Sequence, residues 1–296
     1  MARGVAVLWW GMASFFSLVL IAVSALWIHA LRRAPRHYEQ EQARRISRRW
    51  LIGGGLLLPG VTILTLLIFG TPVGLRMLPL PVGGPPPLRI EVIGHQWWWE
   101  VRYPDQGVVT ANQLVIPAGQ PVDLLLGSRD VIHSFWVPRL AGKLDMLPGR
   151  TNRLRLKADQ PGAYPGQCSE FCGSGHAHMQ LDLRAVPADE FEAWIGARQD
   201  PQVEPPPSAV GEVFGDYCGQ CHRVAGVSEG GLGPDLSDVG SRPRLGAGTL
   251  VNEPGALARW LREHRELKPG NAMPSHAHLP DEQLEAIALW LEGLAP

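Results

Sequence analysis

The stretch GQCSEFCGSGHAHM, residues 166–179, places two cysteines, two histidines and a methionine in one short segment, and His133 lies upstream in VIHSFWVP. Of the two histidines, His178 is one residue off the pattern and is left out of the predicted site. Thiolates, imidazoles and a thioether form a soft donor set that copper prefers, whereas structural zinc sites use cysteine and histidine without methionine. A disulfide between Cys168 and Cys172 is the alternative, but it leaves the neighbouring side chains unexplained. The segment therefore predicts a copper site formed by His133, Cys168, Cys172, His176 and Met179.

The sequence around this segment has the pattern of short β-strands. Apolar and polar residues alternate in LRIEVIGHQWWWEVRY, QLVIPAG, PVDLLLGS, TNRLRLKA and HMQLDLRAV, which are separated by Gly, Pro, Asn and Asp. Five or more such strands without a helical pattern between them predict a small Greek-key β-sandwich or barrel. We expect this domain to span residues 86–198, with an amphipathic helix at about 187–198 closing it and the metal ligands on its loops.

Two long apolar runs, residues 4–31 and 50–75, precede the β domain. A helix needs about 20 apolar residues to cross a bilayer, and both runs are long enough. The first run exceeds the apolar core of a signal peptide, and Leu31-Arg32-Arg33 follows it in place of a small-residue cleavage site. Residues 1–78 are therefore predicted to form a transmembrane hairpin, with spans at about 5–30 and 51–75, before a Pro/Gly stretch at 79–87.

The connection between the two spans predicts their orientation. Arginines outnumber acidic residues in it, with Arg32, Arg33, Arg36, Arg44, Arg45, Arg48 and Arg49 against Glu39 and Glu41. Short loops rich in arginine stay in the cytoplasm. We therefore expect a multi-pass protein of a bacterial inner membrane, with both termini and everything after about residue 78 on the periplasmic side.

A second functional motif follows a proline-rich linker predicted at residues 199–210. Cys218-Gly219-Gln220-Cys221-His222 is a C-x-x-C-H haem attachment motif, in which both cysteines form thioethers and the histidine binds the iron. A thioredoxin-like redox pair is the alternative, and the adjacent histidine and the exported location disfavour it. We predict an all-α haem domain over residues 211–296.

The sixth ligand of the haem iron is expected to be one of the remaining side chains of this segment. Met273 is the only methionine after Met179, and His/Met ligation raises the haem potential. His264, His276 and His278 are alternatives, although histidines on a surface loop are more commonly solvated. Met273 is the predicted ligand.

The pattern C-S-E-x-C-G-x-x-H-x-x-M over residues 168–179, with His133-Ser134-Phe135 and GHQWWW at 94–99 upstream, resembles the CuA domain of cytochrome c oxidase subunit II. The resemblance covers residues 1–198. Behind it, the C-terminal segment resembles class I cytochrome c, with Pro234 at the position whose carbonyl holds the axial histidine. The implied fold is a transmembrane hairpin, a cupredoxin-like domain and a cytochrome c domain.

For the metal sites, the resemblance implies a dinuclear copper (CuA) centre bridged by Cys168 and Cys172. His133 and His176 would be its terminal ligands, Met179 a weak ligand on one copper and the backbone carbonyl of Glu170 a weak ligand on the other. The resemblance further implies that the Glu170 carboxylate reaches a magnesium ion shared with subunit I, and that electrons enter at Trp97. Alternation along the strand puts Trp97 on the face opposite Trp98, so at least one of the two faces is expected to be exposed.

The implied function is that of an electron-input subunit of a cytochrome c oxidase. Electrons would pass from a cytochrome c donor through haem c and CuA to subunit I, with subunit III as a further partner and membrane lipid around the hairpin. A nitric oxide reductase subunit with a copper domain is an alternative, and a copper-delivery protein is another; quinol oxidase subunits lack the copper ligands. A formal net charge of −1 and the lack of a basic–aromatic stripe argue against a nucleic-acid partner.

Overall fold

The computed structural model describes residues 2–34, 37–75, 78–80, 83 and 86–296. Arg36 and much of the Pro/Gly stretch at 79–87 lie outside the described residues. The chain forms two compact units, residues 1–78 and 79–296.

The first unit consists of two long apolar helices. Helix α1 covers Ala2–Arg32, and a second continuous helix runs through α2 (Gln40–Trp50), a π-helical segment (Leu51–Leu57) and α3 (Leu58–Leu75). Gly4–Arg32 and Gln40–Pro72 are each long and apolar enough to cross a membrane. Their apolar side chains are exposed, including Trp9, Trp27 and Trp50. This arrangement is that of the predicted hairpin.

The non-helical part of the connection between the two spans is shorter than the run of arginines suggests, because α2 makes much of the connection helical. Helix α2 takes in Arg44, Arg45, Arg48 and Arg49. Its sequence, QEQARRISRRW, is rich in residues with high helix propensity. Arg45 Nε also donates to Glu41 Oε1 at 3.3 Å, one turn away. Charged residues therefore extend the second helix beyond its apolar run.

The second unit begins with a sandwich of two five-stranded sheets. The sheet orders are β3-β2-β1-β5-β8 and β4-β10-β9-β6-β7. The strand bounds are β1 Leu88–His95, β2 Trp98–Tyr103, β3 Val108–Ala111, β4 Gln113–Pro117, β5 Pro121–Ser128, β6 His133–Trp136, β7 Leu144–Met146, β8 Asn152–Lys157, β9 Gly162–Cys168 and β10 Gln180–Val186. Alternate residues of these strands, such as Ile90, Val92 and Leu124, are buried in one apolar core.

The topology brings the predicted copper ligands to one end of the second sheet. Strand β6 begins at His133, β9 ends at Cys168, and β9 pairs with both β6 and β10. The segment 169–179 joins β9 to β10 and therefore lies beside the start of β6. Helix α4 (Ala188–Gln199) closes the sandwich by packing Phe191 and Ile195 into its core.

The remaining residues form a small helical domain with its own apolar core. Its helices are α5 (Ser208–Tyr217), α6 (Ala256–Leu267) and α7 (Asp281–Glu292). Two short ladders pair β11 (Arg223–Val224) with β12 (Ser228–Glu229) and β13 (Arg244–Leu245) with β14 (Leu250–Val251). Helix α5 starts at Ser208, inside the predicted linker. The residue before it is Pro207, whose fixed φ angle is compatible with the start of a helix. The predicted fold class is confirmed.

Candidate metal centres

Five side chains from the start of β6, the end of β9 and the β9–β10 segment converge on one buried point. Cys168 Sγ lies 3.9 Å from Cys172 Sγ and 3.9 Å from His133 Nδ1. Cys172 Sγ lies 3.5 Å from His176 Nδ1 and 3.9 Å from Met179 Sδ. The donor atoms of His133, Cys168 and Cys172 all lie within 4.8 Å of one another.

The two cysteines are free in this arrangement. Their sulfur atoms are almost twice as far apart as the roughly 2 Å of a disulfide bond. The space between them is surrounded by two imidazoles and a thioether, the set of ligands that suits copper. The residues fit a copper centre in number and chemistry, and copper binding by each of them stays a prediction.

The contact between the two sulfur atoms favours a thiolate at Cys168. The hydrogen bond shared by the Cys168 and Cys172 sulfur atoms lowers the pKa of Cys168 to about 3, against the effect of burial. The pKa of Cys172 rises in turn, because its proton is held by Cys168. Burial favours neutral His133, but hydrogen bonds to Cys168 and Asp130 outweigh it and raise the pKa of His133. Thiolate is the form of cysteine that binds metals.

Asp130 orients His133 and is a functional residue that the sequence pattern did not reveal. Its Oδ1 lies 2.8 Å from His133 Nε2, so the other ring nitrogen, Nδ1, is directed at Cys168. Asp130 Oδ2 also accepts a hydrogen bond from the Gln96 backbone at 2.7 Å. A carboxylate on the outer nitrogen of a metal-binding histidine is the usual supporting contact in such sites. Its position three residues before His133 is the sequence feature by which Asp130 could have been found.

Glu170 has separate surroundings for its carbonyl and its carboxylate. The carbonyl oxygen lies 3.2 Å from Cys168 Sγ, inside the cluster. The carboxylate is partly exposed and accepts from Lys143 Nζ at 3.3 Å. The two groups therefore face in different directions, as two different ligand roles require.

The second candidate centre is a largely apolar cavity of about 500 Å³ in the helical domain. Its lining includes Cys218, Cys221, His222 and Met273, together with Phe214 and Leu261. Both cysteines are free, as attachment to a haem requires. The dimensions and the apolar lining suit a planar macrocycle. The C-x-x-C-H motif and Met273 thus face one cavity, and their binding roles stay predictions.

His222 is held in place by the backbone. Its Nδ1 lies 2.8 Å from the Pro234 carbonyl oxygen, which leaves Nε2 for the cavity. Burial lowers the pKa of His222, so the neutral form that binds iron is favoured. Close packing also fixes the ring, because a Cβ on Gly233 would lie 2.6 Å from His222 Cε1.

The expectation that the other histidines are solvated is wrong for two of the three. His264 is 1% exposed and His276 is 5% exposed. Asn271 Oδ1 lies 3.1 Å from His264 Nδ1, whereas among the described residues His276 Nδ1 has no hydrogen-bond partner. His276 also lines the haem cavity, and so remains the main alternative to Met273. His278 is exposed, and its ring lies tilted beside that of Tyr217, with ring centroids 5.0 Å apart.

Trp97 lies on the buried face of the two that alternation predicts. It is 7% exposed, and Trp98 is the partly exposed neighbour. Trp97 Nε1 donates to the Cys172 carbonyl oxygen at 2.9 Å, and its ring also lines the haem cavity. The helical domain covers this position: a Cβ on Gly270 would lie 3.1 Å from Trp97 Cη2. Trp97 therefore lies between the two candidate centres.

Comparison with known proteins finds two family models in this chain. Cytochrome C oxidase subunit II, periplasmic domain, matches residues 107–186, and Cytochrome c matches residues 209–295. The first segment contains the cysteine, histidine and methionine cluster. The second contains the C-x-x-C-H motif and Met273.

Individual relatives match over longer ranges. Cytochrome c oxidase subunit 2 of Alkalihalophilus pseudofirmus is 33% identical over 287 residues, which cover 94% of this chain and 82% of that protein. The subunit 2 of Bacillus sp. (strain PS3) is 36% identical over 220 residues, 69% of this chain and 62% of that protein. The solved periplasmic domain of subunit II of cytochrome oxidase (CoxB) of Bradyrhizobium japonicum has 33% identity and a TM-score of 0.37, covering 38% of this chain and 93% of that one.

Proposed function

The chain belongs to the cytochrome c oxidase subunit 2 family, and from this premise we propose that it is the electron-input subunit of a haem–copper oxidase. In this role it accepts electrons from a cytochrome c donor and delivers them to subunit I, where oxygen is reduced. The family implies CuA copper and haem c as its cofactors. Bound copper and haem supply one-electron oxidation and reduction.

The observation that carries this proposal is the position of Trp97. One end of its indole ring is hydrogen-bonded to Cys172 of the copper cluster, and the ring lines the cavity that contains Cys221 and Met273. A single side chain thus contacts both centres. We propose Trp97 as the point at which electrons enter the copper domain, and its burial means that they arrive from the haem domain of the same chain.

The protein's own residues have distinct tasks in this scheme. Cys168 and Cys172 would hold the copper through their sulfur atoms, together with His133, His176, Met179 and the Glu170 carbonyl. A rigid sheet end and the Asp130 contact hold these groups still, which limits rearrangement when the charge of the centre changes. In the haem domain, Cys218 and Cys221 would attach the haem through thioethers, and His222 and Met273 would bind its iron.

The proposal extends to a magnesium ion at the junction with subunit I. The Glu170 carboxylate is partly exposed, and hard carboxylate oxygens suit magnesium. Lys143 already pairs with this carboxylate, so magnesium would have to displace or share that contact. Subunits I and III are the proposed partners.

Metal analysis tests the cofactors. A fragment starting at about residue 86, matured with copper and haem, is expected to contain two coppers and one covalent haem per chain, because all proposed ligands lie within it. Elemental analysis and a visible and near-infrared spectrum measure this content. Zinc in place of copper, or a Cys168–Cys172 disulfide in metal-replete protein, would contradict the assignment.

Fusion reporters test the proposed sidedness. A reporter active only in the periplasm is expected to work after residue 198 and to be inactive near residue 40, because the arginine-rich helix α2 is retained in the cytoplasm. A reporter active only in the cytoplasm serves as the control and should give the reverse pattern. Periplasmic activity at residue 40 would refute this topology.

A further inference from the structure

Lys268, directly after helix α6, is a buried lysine at the contact between the two domains. Its side chain is 3% exposed. Its Nζ donates to the carbonyl oxygens of Trp97 at 2.6 Å, His178 at 2.9 Å and Gly246 at 2.7 Å. Trp97 and His178 belong to the copper domain, whereas Gly246 belongs to the haem domain. Lys268 therefore joins the backbones of both.

The hydrogen bonds of Lys268 can all form only when the haem domain is packed against the copper domain. Lysine is almost never fully buried unless its charge is compensated, and among the described residues no carboxylate forms an ion pair with Lys268. An ammonium group has three N–H donors, and three carbonyl oxygens accept them. Burial lowers the pKa of Lys268 to about 7, and the nearby Cys172 opposes this shift. The ammonium form is the one whose three donors match the three carbonyl oxygens. Two of these acceptors are lost if the domains separate.

Close backbone contacts surround Lys268. The Gln180 N–H donates to the Ala247 carbonyl oxygen at 2.9 Å, and Arg244 Nη1 donates to Gln180 Oε1 at 2.7 Å. Gly248 permits this approach, since a Cβ there would lie 2.7 Å from Gln180 Oε1. These contacts directly follow the ligand segment, which ends at Met179. We call the contact of residues 174–180 with residues 246–248 and 268–270 the domain interface.

A second anchor lies away from the ligand segment. Arg198 of helix α4 donates to Asp238 of the haem domain at 2.9 Å, and both side chains are largely buried. Asp238 is also paired with Arg242. The haem domain thus contacts the copper domain both at Lys268 and at the Arg198–Asp238 pair. Of these two contacts, Lys268 is the one beside Trp97 and the haem cavity.

We propose that Lys268 is a positioning residue that locks the haem domain onto the copper ligand segment, so that electrons cross a fixed interface. The alternative is a haem domain that moves on its proline-rich tether, residues 200–207, and meets the copper domain by diffusion. This inference rests on the proposed function, since it concerns the transfer between the two centres. Lys268 contacts neither the proposed copper ligands' side chains nor iron in this scheme; it acts through the Trp97 and His178 backbones.

The test uses the assembled oxidase with Lys268→Met, which keeps the length of the side chain and removes its donors and charge. Lys157→Met, which removes an exposed lysine from strand β8, is the matched control. We expect the rate of haem-to-copper electron transfer, followed by rapid-mixing spectroscopy, to fall by about tenfold or more in Lys268→Met, because truncating one member of a buried charge contact weakens an interface by at least that factor. The residual rate should decrease with solvent viscosity, while both centres keep their visible spectra.

Hydrogen exchange of the Gln180 amide reports docking independently of electron transfer. This amide donates across the domain interface, so its protection should fall in Lys268→Met and persist in Lys157→Met. Should Lys268→Met fail to incorporate either cofactor, Lys268→Gln, which retains two donors, is expected to show smaller losses of rate and protection. Wild-type transfer rate and wild-type Gln180 protection in these variants would overturn the proposal. If even the wild-type oxidase showed no haem-to-copper transfer, the proposed function would fail, and the exchange data alone would decide whether Lys268 locks the domains.

Discussion

Cys172→Ser is expected to abolish copper binding while leaving covalent haem in place. Cys172 Sγ is the atom nearest the centre of the cluster, with Cys168, His176 and Met179 all within 3.9 Å. A serine hydroxyl is a harder and weaker ligand for copper than a thiolate. The copper content and the mixed-valence copper signal should therefore fall to background, whereas the haem motif begins at residue 218 and should be unaffected.

The consequence for electron flow is separately measurable. In the Cys172→Ser oxidase the donor should still reduce the haem, and the haem should then stay reduced under oxygen because onward transfer is lost. Rapid-mixing spectroscopy of haem oxidation follows this directly. Phe171→Ser is the control, since Phe171 is adjacent but 77% exposed and should leave copper binding intact. Haem reoxidation at the wild-type rate in Cys172→Ser would show that electrons bypass the copper pair.

Met273→Ala is expected to lower the haem potential without changing the copper signal. A thioether favours reduced iron, so its loss should lower the midpoint potential by something on the order of 100 mV, a fraction of the roughly 0.8 V range that axial ligands span. Turnover with an external cytochrome donor should slow accordingly. A redox titration followed by the visible spectrum measures the shift.

The buried histidines provide the comparison for this experiment. His276 lines the same cavity with an unpaired Nδ1, and His264 lies behind it with a ring-centroid distance of 6.4 Å. His276→Ala and His264→Ala should each leave the axial ligand in place and shift the potential less than Met273→Ala. If His276→Ala instead caused the large shift and Met273→Ala did not, His276 would be the sixth ligand.

Much of the fold and many of the candidate ligands could be predicted from local sequence. Ligand spacing in the segment 166–179, the C-x-x-C-H motif and the alternating strands each involve residues close together in the chain, so the pattern itself carries the information. The same is true of the two apolar runs, whose length alone predicts membrane-spanning helices. The boundary of the second helix was less predictable, because helix propensity continues the helix through the charged residues before Trp50.

The arrangement of the two centres was decided by tertiary structure. Alternation in the sequence around Trp97 did not indicate which of the two strand faces is buried, and packing of the haem domain buries Trp97. Asp130 and Lys268 have ordinary surface-residue types. Asp130 is close to His133 in the chain, but nothing local marks the carbonyl oxygens that Lys268 contacts. These contacts join residues from 3 to 171 positions apart. Local sequence indicates which side chains are suited to hold copper and haem. Packing of the haem domain against the copper domain is what places a single tryptophan, Trp97, between the two candidate centres.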